Sequence, residues 1–367
     1  MKKQYIIPIF VPHQGCPNEC TFCNQRKISG QQKNVTAQDV KNTIEFYLKL
    51  FEEKDVYREI AFFGGSFTGI EPDRQEELLK VAYEYIKQKK VDSIRISTRP
   101  DYIDKTILKR LKKYKVKTIE LGVQTTNDYL LNRCKRGHTF EDVKKASKLI
   151  RRFRFTLGHQ MMVGLPESTR LDEMNTARDL AKLKPKMIRI YPVLVIRDTE
   201  LEQEYNRGEF EPLDLRQAVE ICKELNQFFE KKKVKVIRIG LQSTDTILNP
   251  ENPGSEVVAG PYHENIRQLV NASYYYDMIN EKIKKINTKA KEIEITVNPQ
   301  IVNDVIGYKR ENIEKFKELY NLDIKVMQNS KYPLKKMTVE VTKTYKEFAD
   351  DEEQINKKNK GKFLLRR

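Results

Sequence analysis

The chain has 367 residues, of which 39% are hydrophobic and 33% are charged. This length is enough for two domains with sizeable cores, so the fold has no need of disulfides to staple it. No apolar run approaches the ~20 residues that a membrane span needs, and the N-terminal segment lacks the apolar region and cleavage site of a secretory signal. We therefore expect a soluble, cytoplasmic protein without membrane contacts.

The chain is strongly basic, with 69 Lys and Arg residues against 52 Asp and Glu and a formal net charge of +17. This balance favours a polyanionic partner, and nucleic acid is the first candidate. The alternative is a lysine-rich composition without functional meaning, since most of the lysines lie on predicted exposed helix faces.

Short β-branched or apolar segments alternate with amphipathic helical stretches from residue 5 to about residue 240. One predicted helix begins after Thr36 as its N-cap and carries Val40, Ile44 and Leu48 on one face. The predicted strands are 5–11, 59–64, 93–98, 118–124, 155–164, 187–195 and 234–240. Six or seven βα units predict an α/β fold, a partial TIM-type (β/α)6 barrel with its active site at the carboxyl ends of the strands.

Three of the five cysteines lie in the loop after the first predicted strand, where Cys16, Cys20 and Cys23 have the spacing Cys-x3-Cys-x2-Cys. An odd number of cysteines with this clustering argues against a disulfide framework. Three thiolates on one loop can bind three irons of a [4Fe-4S] cluster and leave the fourth iron open. A structural zinc site is the alternative, with His13 as its fourth ligand.

The loop after the second predicted strand begins with Gly64, Gly65 and Ser66, and paired glycines let a ligand approach the backbone closely. Together with the cysteine loop, in which Phe22 precedes the last cysteine, it resembles the radical S-adenosylmethionine (SAM) superfamily. The resemblance implies two cofactors, one [4Fe-4S] cluster and SAM, which the open iron chelates. It further implies that reduction of the cluster cleaves SAM to methionine and a 5'-deoxyadenosyl radical, which abstracts hydrogen from a substrate. In that family the Gly64–Ser66 segment lines the methionine group of SAM, and Phe22 lies against the adenine.

Longer segments are similar to the catalytic subunit of Elongator, the enzyme that modifies wobble uridines of tRNA. The matching segments are FFGGSFTGI, TRPDYI, IELGVQTTND, KRGHTFEDV and HQMMVGLPEST. The similarity implies that Gln124 and Gly164 help to form the SAM pocket and that Glu120, Arg99 and Tyr191 face the cavity. Elongator subunits continue into a zinc-binding linker and an acetyltransferase domain. We do not expect the acetyl-dependent reaction here, because no cysteine follows Cys222 to build that linker.

Residues 292–328 predict a strand, a helix, a short basic turn, a helix and a strand, and a further strand is predicted at 336–341. This segment resembles a type I KH domain, and Val305, Ile306, Gly307 and Ile313 match its core pattern, whereas Arg310 replaces the second loop glycine. The loop of KH domains clamps four nucleotides of backbone. The resemblance therefore assigns RNA contacts to Gly307, Lys309 and Arg310, with a KH fold that has lost RNA binding as the alternative.

The predicted organisation has four parts: the barrel at 1–245, a linker and helical extension at 246–290, the KH-like domain at 291–345 and a charged, disordered tail at 346–367. The leading hypothesis is a radical SAM transferase that modifies a base of tRNA or rRNA and receives electrons from a donor such as flavodoxin or ferredoxin. One alternative is a radical SAM enzyme that acts on a protein or a small metabolite. Another is a non-catalytic RNA-binding metalloprotein.

Overall fold

The structure is a computed structural model that describes residues 3–11, 20–29, 34–51, 53, 55–286 and 290–344. Cys16, His13 and the predicted tail therefore lie outside the described residues. The chain forms two compact units, Met1–Glu264 and Asn265–Arg367. The segment 246–290, which the sequence assigned to a linker and a helical extension, is divided between these two units.

The first unit contains nine strands within its described residues. They are β1 (Gln4–Phe10), β2 (Tyr57–Phe63), β3 (Ser93–Thr98), β4 (Val116–Gln124), β5 (Thr156–Val163), β6 (Met187–Pro192), β7 (Val195–Ile196), β8 (Lys235–Ile239) and β9 (Val257–Ala259).

Seven of these strands form one curled parallel sheet in the order β1-β2-β3-β4-β5-β6-β8. The order of the strands in the sheet follows their order in the chain, as in a TIM-type barrel. The described residues of β1 and β8 do not pair, so the barrel is partial. Each of the seven predicted strands overlaps a strand of this sheet, and seven strands agree with the six or seven predicted βα units.

Helices separate successive strands of the sheet. The helices of the first unit are α1 (Gln25–Ser29), α2 (Ala37–Leu50), α3 (Pro72–Lys87), α4 (Lys105–Lys113), α5 (Asp128–Arg133), α6 (Phe140–Arg152), α7 (Arg170–Lys182), α8 (Glu200–Asn206) and α9 (Leu215–Lys231). Thr36 is the N-cap of α2, as predicted: its side chain accepts a hydrogen bond from the backbone N–H of Asp39, whose carboxylate accepts one in return from the N–H of Thr36. In the described part of the chain, no helix is both long enough and apolar enough to cross a membrane.

The predicted strand at 187–195 is divided in the structure. β6 ends at Pro192, and the chain then leaves the parallel sheet so that β7 pairs antiparallel with β9. The apolar run continues across this change because Val193 and Val195 join one buried cluster, whereas Leu194 and Ile196 join another. A continuous apolar run therefore spans two short elements here.

Five basic residues lie between a helix and the amino end of the strand that follows it. Helices α3, α4, α6, α7 and α9 are each followed by a Lys or Arg in the left-handed region, with φ between 55° and 60°; these residues are Lys89, Lys115, Arg154, Lys184 and Lys233. Glycine is the usual residue at this position, and basic side chains there complement the dipole of the helix C-terminus. Part of the net charge of +17 is therefore explained by helix termination.

The second unit is a three-stranded sheet covered by helices. Its elements are α10 (Ile266–Ile283), β10 (Ala290–Val297), α11 (Val302–Ile306), α12 (Glu311–Tyr320), β11 (Asp323–Gln328) and β12 (Met337–Thr344). Ile279 of α10 and Phe316 of α12 pack with Ile293 and Ile295 of β10 in its core. The predicted order of elements is observed, but the type I assignment is wrong in one respect. The type I form has an antiparallel sheet, whereas β10, the central strand, pairs parallel with β11 and antiparallel with β12.

Candidate active site

A cavity of about 250 Å³ lies at the carboxyl ends of the barrel strands. Its lining includes six of the residues that the sequence assigned to the cluster or to SAM: Cys20, Phe22, Cys23, Gly64, Gly65 and Gln124. Ser66 and Gly164 are not part of the described lining. The loops that follow β1, β2 and β4 therefore meet at one site, as the barrel prediction requires.

Backbone hydrogen bonds hold the described part of the cysteine loop. The N–H of Thr21 donates to the carbonyl of Cys134 at 3.3 Å, and the carbonyl of Thr21 accepts from the N–H of Leu201 at 2.8 Å. Cys20 is 4% exposed and packs in an apolar cluster with Phe22, Cys134 and Leu201, while Cys23 is half-buried. Two thiols thus reach the cavity from a loop in which Thr21 is held by hydrogen bonds to both Cys134 and Leu201.

Arg136 places a positive charge beside the cysteines, a feature that the sequence analysis missed. Its Nη1 lies 3.2 Å from Sγ of Cys20, and its Nη2 donates to the carbonyl of Gly122 at 2.8 Å. Cysteine binds a metal as the thiolate, and a neighbouring guanidinium stabilises that negative charge. The basic segment KRGH, which contains Arg136, was the available signal in the sequence. That the Arg136 side chain points toward Cys20 follows only from the fold.

Gly64 lies where the backbone leaves no space for a side chain. Its φ is +79°, and a Cβ at this position would lie 3.2 Å from the carbonyl oxygen of Val11. Ser66 is 1% exposed; its hydroxyl lies 2.9 Å from that of Thr98 and accepts a hydrogen bond from the N–H of Arg99 at 3.0 Å. Ser66 therefore ties the glycine loop to the end of β3 and does not face the cavity.

Gln124 enters the cavity through an irregularity at the end of β4. The pairing register between β4 and β5 shifts between Gly122 and Gln124, and the φ of Gln124 is +73°. Such a bulge redirects a side chain. The Oε1 atom of Gln124 is buried and has no hydrogen-bond partner among the described residues. A buried acceptor without a partner at the cavity is suited to a ligand that donates a hydrogen bond.

Gly164 has a structural role in the fold. Its φ is +77°, and a Cβ there would lie 2.8 Å from Cδ1 of Leu213. Its N–H donates to a carboxylate oxygen of Glu173 at 2.8 Å, at the end of β5. Gly164 thus permits close packing behind the site.

A charged layer lies beneath the cavity, inside the barrel. Glu120 is fully buried and accepts hydrogen bonds from Arg95 on β3 and from Arg189 on β6, both at 2.5 Å, while Arg95 also pairs with Glu59 at 2.6 Å. Burial opposes the negative charge of Glu120, but Arg189 and Arg95 hold its pKa below the ordinary value. Gly158 leaves the space for Glu120, since a Cβ there would lie 3.0 Å from its Cγ. Two carboxylates and two guanidinium groups balance each other in this layer.

The rest of the lining is rich in arginine. Of the residues that the similarity placed at the cavity, Arg99 and Tyr191 line it, whereas Glu120 belongs to the charged layer beneath it. Arg189 and Arg238 also line it and were missed by the sequence analysis. Arg99 is paired with Asp101 at 2.9 Å. Within the described lining, four arginines occur without any Asp or Glu.

The two remaining cysteines are core residues. Cys134 is fully buried, and burial raises the pKa of its thiol to about 11. Cys222 on α9 is also fully buried, and burial raises the pKa of this thiol as well. In the metal-free chain, burial therefore favours the protonated form of both thiols, which is typical of structural cysteines.

Comparison with known families decides the identity of this site. The profile of the radical SAM superfamily matches residues 10–180, and that of the radical SAM C-terminal domain matches residues 185–275. The chain belongs to the radical SAM superfamily. Its cofactors are accordingly one [4Fe-4S] cluster and SAM.

Several curated relatives are similar to this radical SAM chain. It is 30% identical over 208 residues to the tRNA uridine(34) acetyltransferase of Methanocaldococcus jannaschii, which covers 56% of this chain and 36% of that protein. It is 27% identical over 232 residues to the protein of the same name from Methanocaldococcus infernus, covering 58% of this chain and 42% of the relative. The chain therefore spans less than half of the length of these two proteins.

A solved structure shares the fold of this radical SAM chain. It is an N-terminally truncated Elp3 of the archaeon M. infernus, with a TM-score of 0.59 and 24% identity over 77% of this chain and 64% of that one.

The described residues of the radical SAM barrel fit these cofactors. Two thiols with a guanidinium beside them suit an iron–sulfur cluster, because its ligands are thiolates. Gly64 lines the cavity with bare backbone, since a Cβ there would meet Val11, and the unpartnered Oε1 of Gln124 offers an acceptor, so both suit a polar ligand held close to the backbone.

Proposed function

We propose that this chain is a radical SAM enzyme that modifies a base in RNA, either tRNA or rRNA. The observation that carries the proposal is one cavity in which thiols and a glycine loop meet an arginine-rich wall, with no carboxylate among the described lining residues. The curated relatives named as tRNA uridine(34) acetyltransferases support an RNA substrate. Since the chain spans less than half of those proteins, their acetyltransferase activity is not part of the proposal.

Cys16, Cys20 and Cys23 would hold the cluster, and an electron donor such as flavodoxin or ferredoxin would reduce it. Phe22, Gly64, Gly65 and Gln124 would contact SAM, while Ser66 and Gly164 fix the loops that carry these contacts. When bound, the two cofactors supply a carbon radical that can remove a hydrogen atom from a position with no acidic proton. Arg136 contacts the thiol of Cys20 and donates to the carbonyl of Gly122, so it ties the cysteine loop to β4.

The chain also shields the reaction from water. Side chains of Phe10, Phe63, Met162, Leu194 and Ile196 line the cavity among the polar groups. Exclusion of water strengthens electrostatic interactions and prevents side reactions of unstable species. An apolar wall is therefore suited to radical chemistry.

The second unit would position the RNA through its basic loop. Gly307 has φ +84°, and a Cβ there would lie 2.9 Å from the backbone nitrogen of Asn312. Arg310, at the position of the missing second glycine, has φ +69° and takes the left-handed conformation that favours glycine. Lys309 and Arg310 are exposed and can meet phosphate groups.

The decisive experiment measures 5'-deoxyadenosine formed by the anaerobically reconstituted, full-length enzyme with dithionite and SAM, with and without RNA from a deletion strain. We expect formation to rise with RNA and to be absent in Cys20→Ser. In parallel, mass spectrometry of nucleosides from total RNA should reveal a nucleoside that the deletion strain lacks. If the amount of 5'-deoxyadenosine does not depend on RNA and the nucleosides are unchanged, a protein or small-metabolite substrate would be supported instead.

The role of the basic loop has its own test, which does not depend on turnover. Affinity for tRNA should fall steeply with salt, and Lys309→Gln should make the dependence of log K on log salt shallower by about one. Lys41→Gln on α2, also an exposed lysine, is the control and should leave the slope unchanged. An equal slope in the Lys309 variant would assign the second unit a role other than RNA binding.

A further inference from the structure

Strands β6 and β8 contribute a pair of arginines to the cavity. Arg189 and Arg238 are direct neighbours in the parallel pairing of these strands, and both line the cavity. Neighbouring strands lie about 4.8 Å apart, so two guanidinium groups enter the cavity side by side.

A bulge in β8 turns Arg238 inward. Ile188 pairs with Val236, but the next residue, Arg189, pairs with Arg238, so Ile237 is the extra residue. Val236 pairs with Ile188, whose neighbour Arg189 lines the cavity, so regular alternation would turn both Val236 and Arg238 away from the cavity. The bulge reverses this and brings Arg238 level with Arg189, which is a common use of bulges beside active sites.

The charge of Arg238 is not balanced by the described part of the protein. Arg189 is neutralised by Glu120, whereas Arg238 donates to Oε1 of Gln242 at 3.2 Å and has no carboxylate within 4.0 Å among the described residues. Arg238 is half-buried; burial lowers its pKa, and Arg189 lowers it further, while Tyr191 opposes the shift. A partly buried, unpaired cation is costly unless an anion binds it.

We propose that Arg238, together with Arg189 and Tyr191, binds a phosphate group of the nucleotide that enters the barrel. This inference rests on the proposed function, because it names the part of the RNA substrate that the β6 and β8 side of the cavity recognises. The planar fork of a guanidinium matches the oxygens of phosphate, and the hydroxyl of Tyr191 can add a further donor. A nucleotide held in this way has its phosphate at the β6 and β8 side and its base free to reach the SAM side.

Equilibrium binding to the reconstituted, SAM-loaded full-length enzyme tests this site without turnover. Calorimetry would compare uridine 5'-monophosphate, uridine and succinate as probes. We expect the enzyme to bind the monophosphate at least tenfold more tightly than uridine. Arg238→Gln should reduce this preference to less than about threefold, and Arg238→Lys should give an intermediate value, because the point charge remains while the fork is lost.

The matched control is Arg178→Gln, which removes an exposed arginine on α7 and should preserve the full preference. Circular dichroism melting should show that all three variants are folded. A preference for phosphate that survives in Arg238→Gln, or is absent from the unmodified enzyme, would overturn the proposal. Binding of succinate but not of the monophosphate through Arg238 would overturn the phosphate assignment and indicate a carboxylate substrate.

The result is separable from the test of the RNA reaction. Unchanged RNA nucleosides combined with phosphate binding through Arg238 would reject the reaction and support the site. A changed nucleoside profile, combined with a preference for the monophosphate that Arg238→Gln does not reduce, would reject the site and leave the reaction supported.

Discussion

Strands β1 to β4 line one part of the cavity and strands β5, β6 and β8 line the other, and the two parts differ in chemistry. The first part presents thiols, glycine backbone and an amide, as in Cys20, Gly64 and Gln124, together with the guanidinium groups of Arg99 and Arg136. The second presents guanidinium and phenol groups, as in Arg189, Arg238 and Tyr191. Loops that bind a cofactor are local sequences, whereas the second part is assembled from single residues on separate strands. Its residues can therefore change without any change in the cofactor loops.

The charged layer beneath the cavity joins the two parts. Glu120 on β4 accepts hydrogen bonds from Arg95 on one side and from Arg189 on the other. Loss of Glu120 should therefore affect the second part through Arg189, whereas changes in the cysteine loop should be confined to the first. The variants below test this separation.

The largest effect is expected from Cys20→Ser in the first part. Serine cannot replace a thiolate that binds iron, so the purified variant should retain background iron and sulfide and form no 5'-deoxyadenosine. Its unfolding free energy in the metal-free state should stay close to that of the unmodified protein. Cys222→Ala is the control, because that thiol is buried in the core on α9 and should be dispensable for the cluster. A full cluster in Cys20→Ser would contradict the assignment of this thiol.

The second effect concerns Glu120→Gln. Removal of one charge from a buried, paired network leaves Arg95 and Arg189 uncompensated and typically costs about 3–5 kcal/mol. We expect a loss of this size in the unfolding free energy from urea titration, with the cluster content unchanged if the protein is kept below its unfolding midpoint.

The control for Glu120→Gln is Glu209→Gln, which breaks an exposed pair with Arg207 and should cost less than about 1 kcal/mol. Equal costs for the two substitutions would show that the buried pairs of Glu120 stabilise the fold no more than an exposed ion pair does.

The same division explains what the sequence could predict. Cys20, Phe22 and Gly64 stand in short motifs whose spacing carries the chemistry, and the seven strands follow from alternation of apolar and helical segments. Arg238 has no such signal: in VKVIRIG a regular strand would turn Ile237 inward, and the bulge that reverses this depends on pairing with β6.

Two further differences arise from pairing between distant segments. The parallel pairing of β10 with β11 contradicts the predicted type I form, although the order of elements was correct. Ser66 stands beside two lining glycines in the sequence, but its hydroxyl bonds with Thr98 and turns it away from the cavity. Local patterns identify elements and motifs, whereas the partner strands decide which side chains reach the site.

A third prediction compares Gly64→Ala with Gly208→Ala. Both residues have positive φ, +79° and +72°, but a Cβ at Gly208 meets no atom within 4 Å, whereas one at Gly64 lies 3.2 Å from the carbonyl oxygen of Val11. Gly208→Ala should cost about 1 kcal/mol of unfolding free energy from the left-handed backbone alone. Gly64→Ala should cost more and also weaken SAM binding, as measured by calorimetry with the reconstituted enzyme. Equal losses of unfolding free energy in the two variants, with unchanged SAM affinity, would mean that the loop after β2 adjusts to the added Cβ without any effect on SAM binding.

The smallest effect is expected from Gln124→Gly, and it separates ligand binding from folding. Loss of one neutral hydrogen bond to SAM amounts to about 1 kcal/mol, or roughly a fivefold increase in Kd. The unfolding free energy should not fall, because glycine adopts the observed φ of +73° without strain. Gln124→Ala should show the same loss of SAM affinity while the backbone strain remains, so it should be less stable than Gln124→Gly. If both variants bind SAM normally, the unpartnered Oε1 of Gln124 serves another ligand. The boundary between the first and the second part of the cavity would then lie nearer to β3.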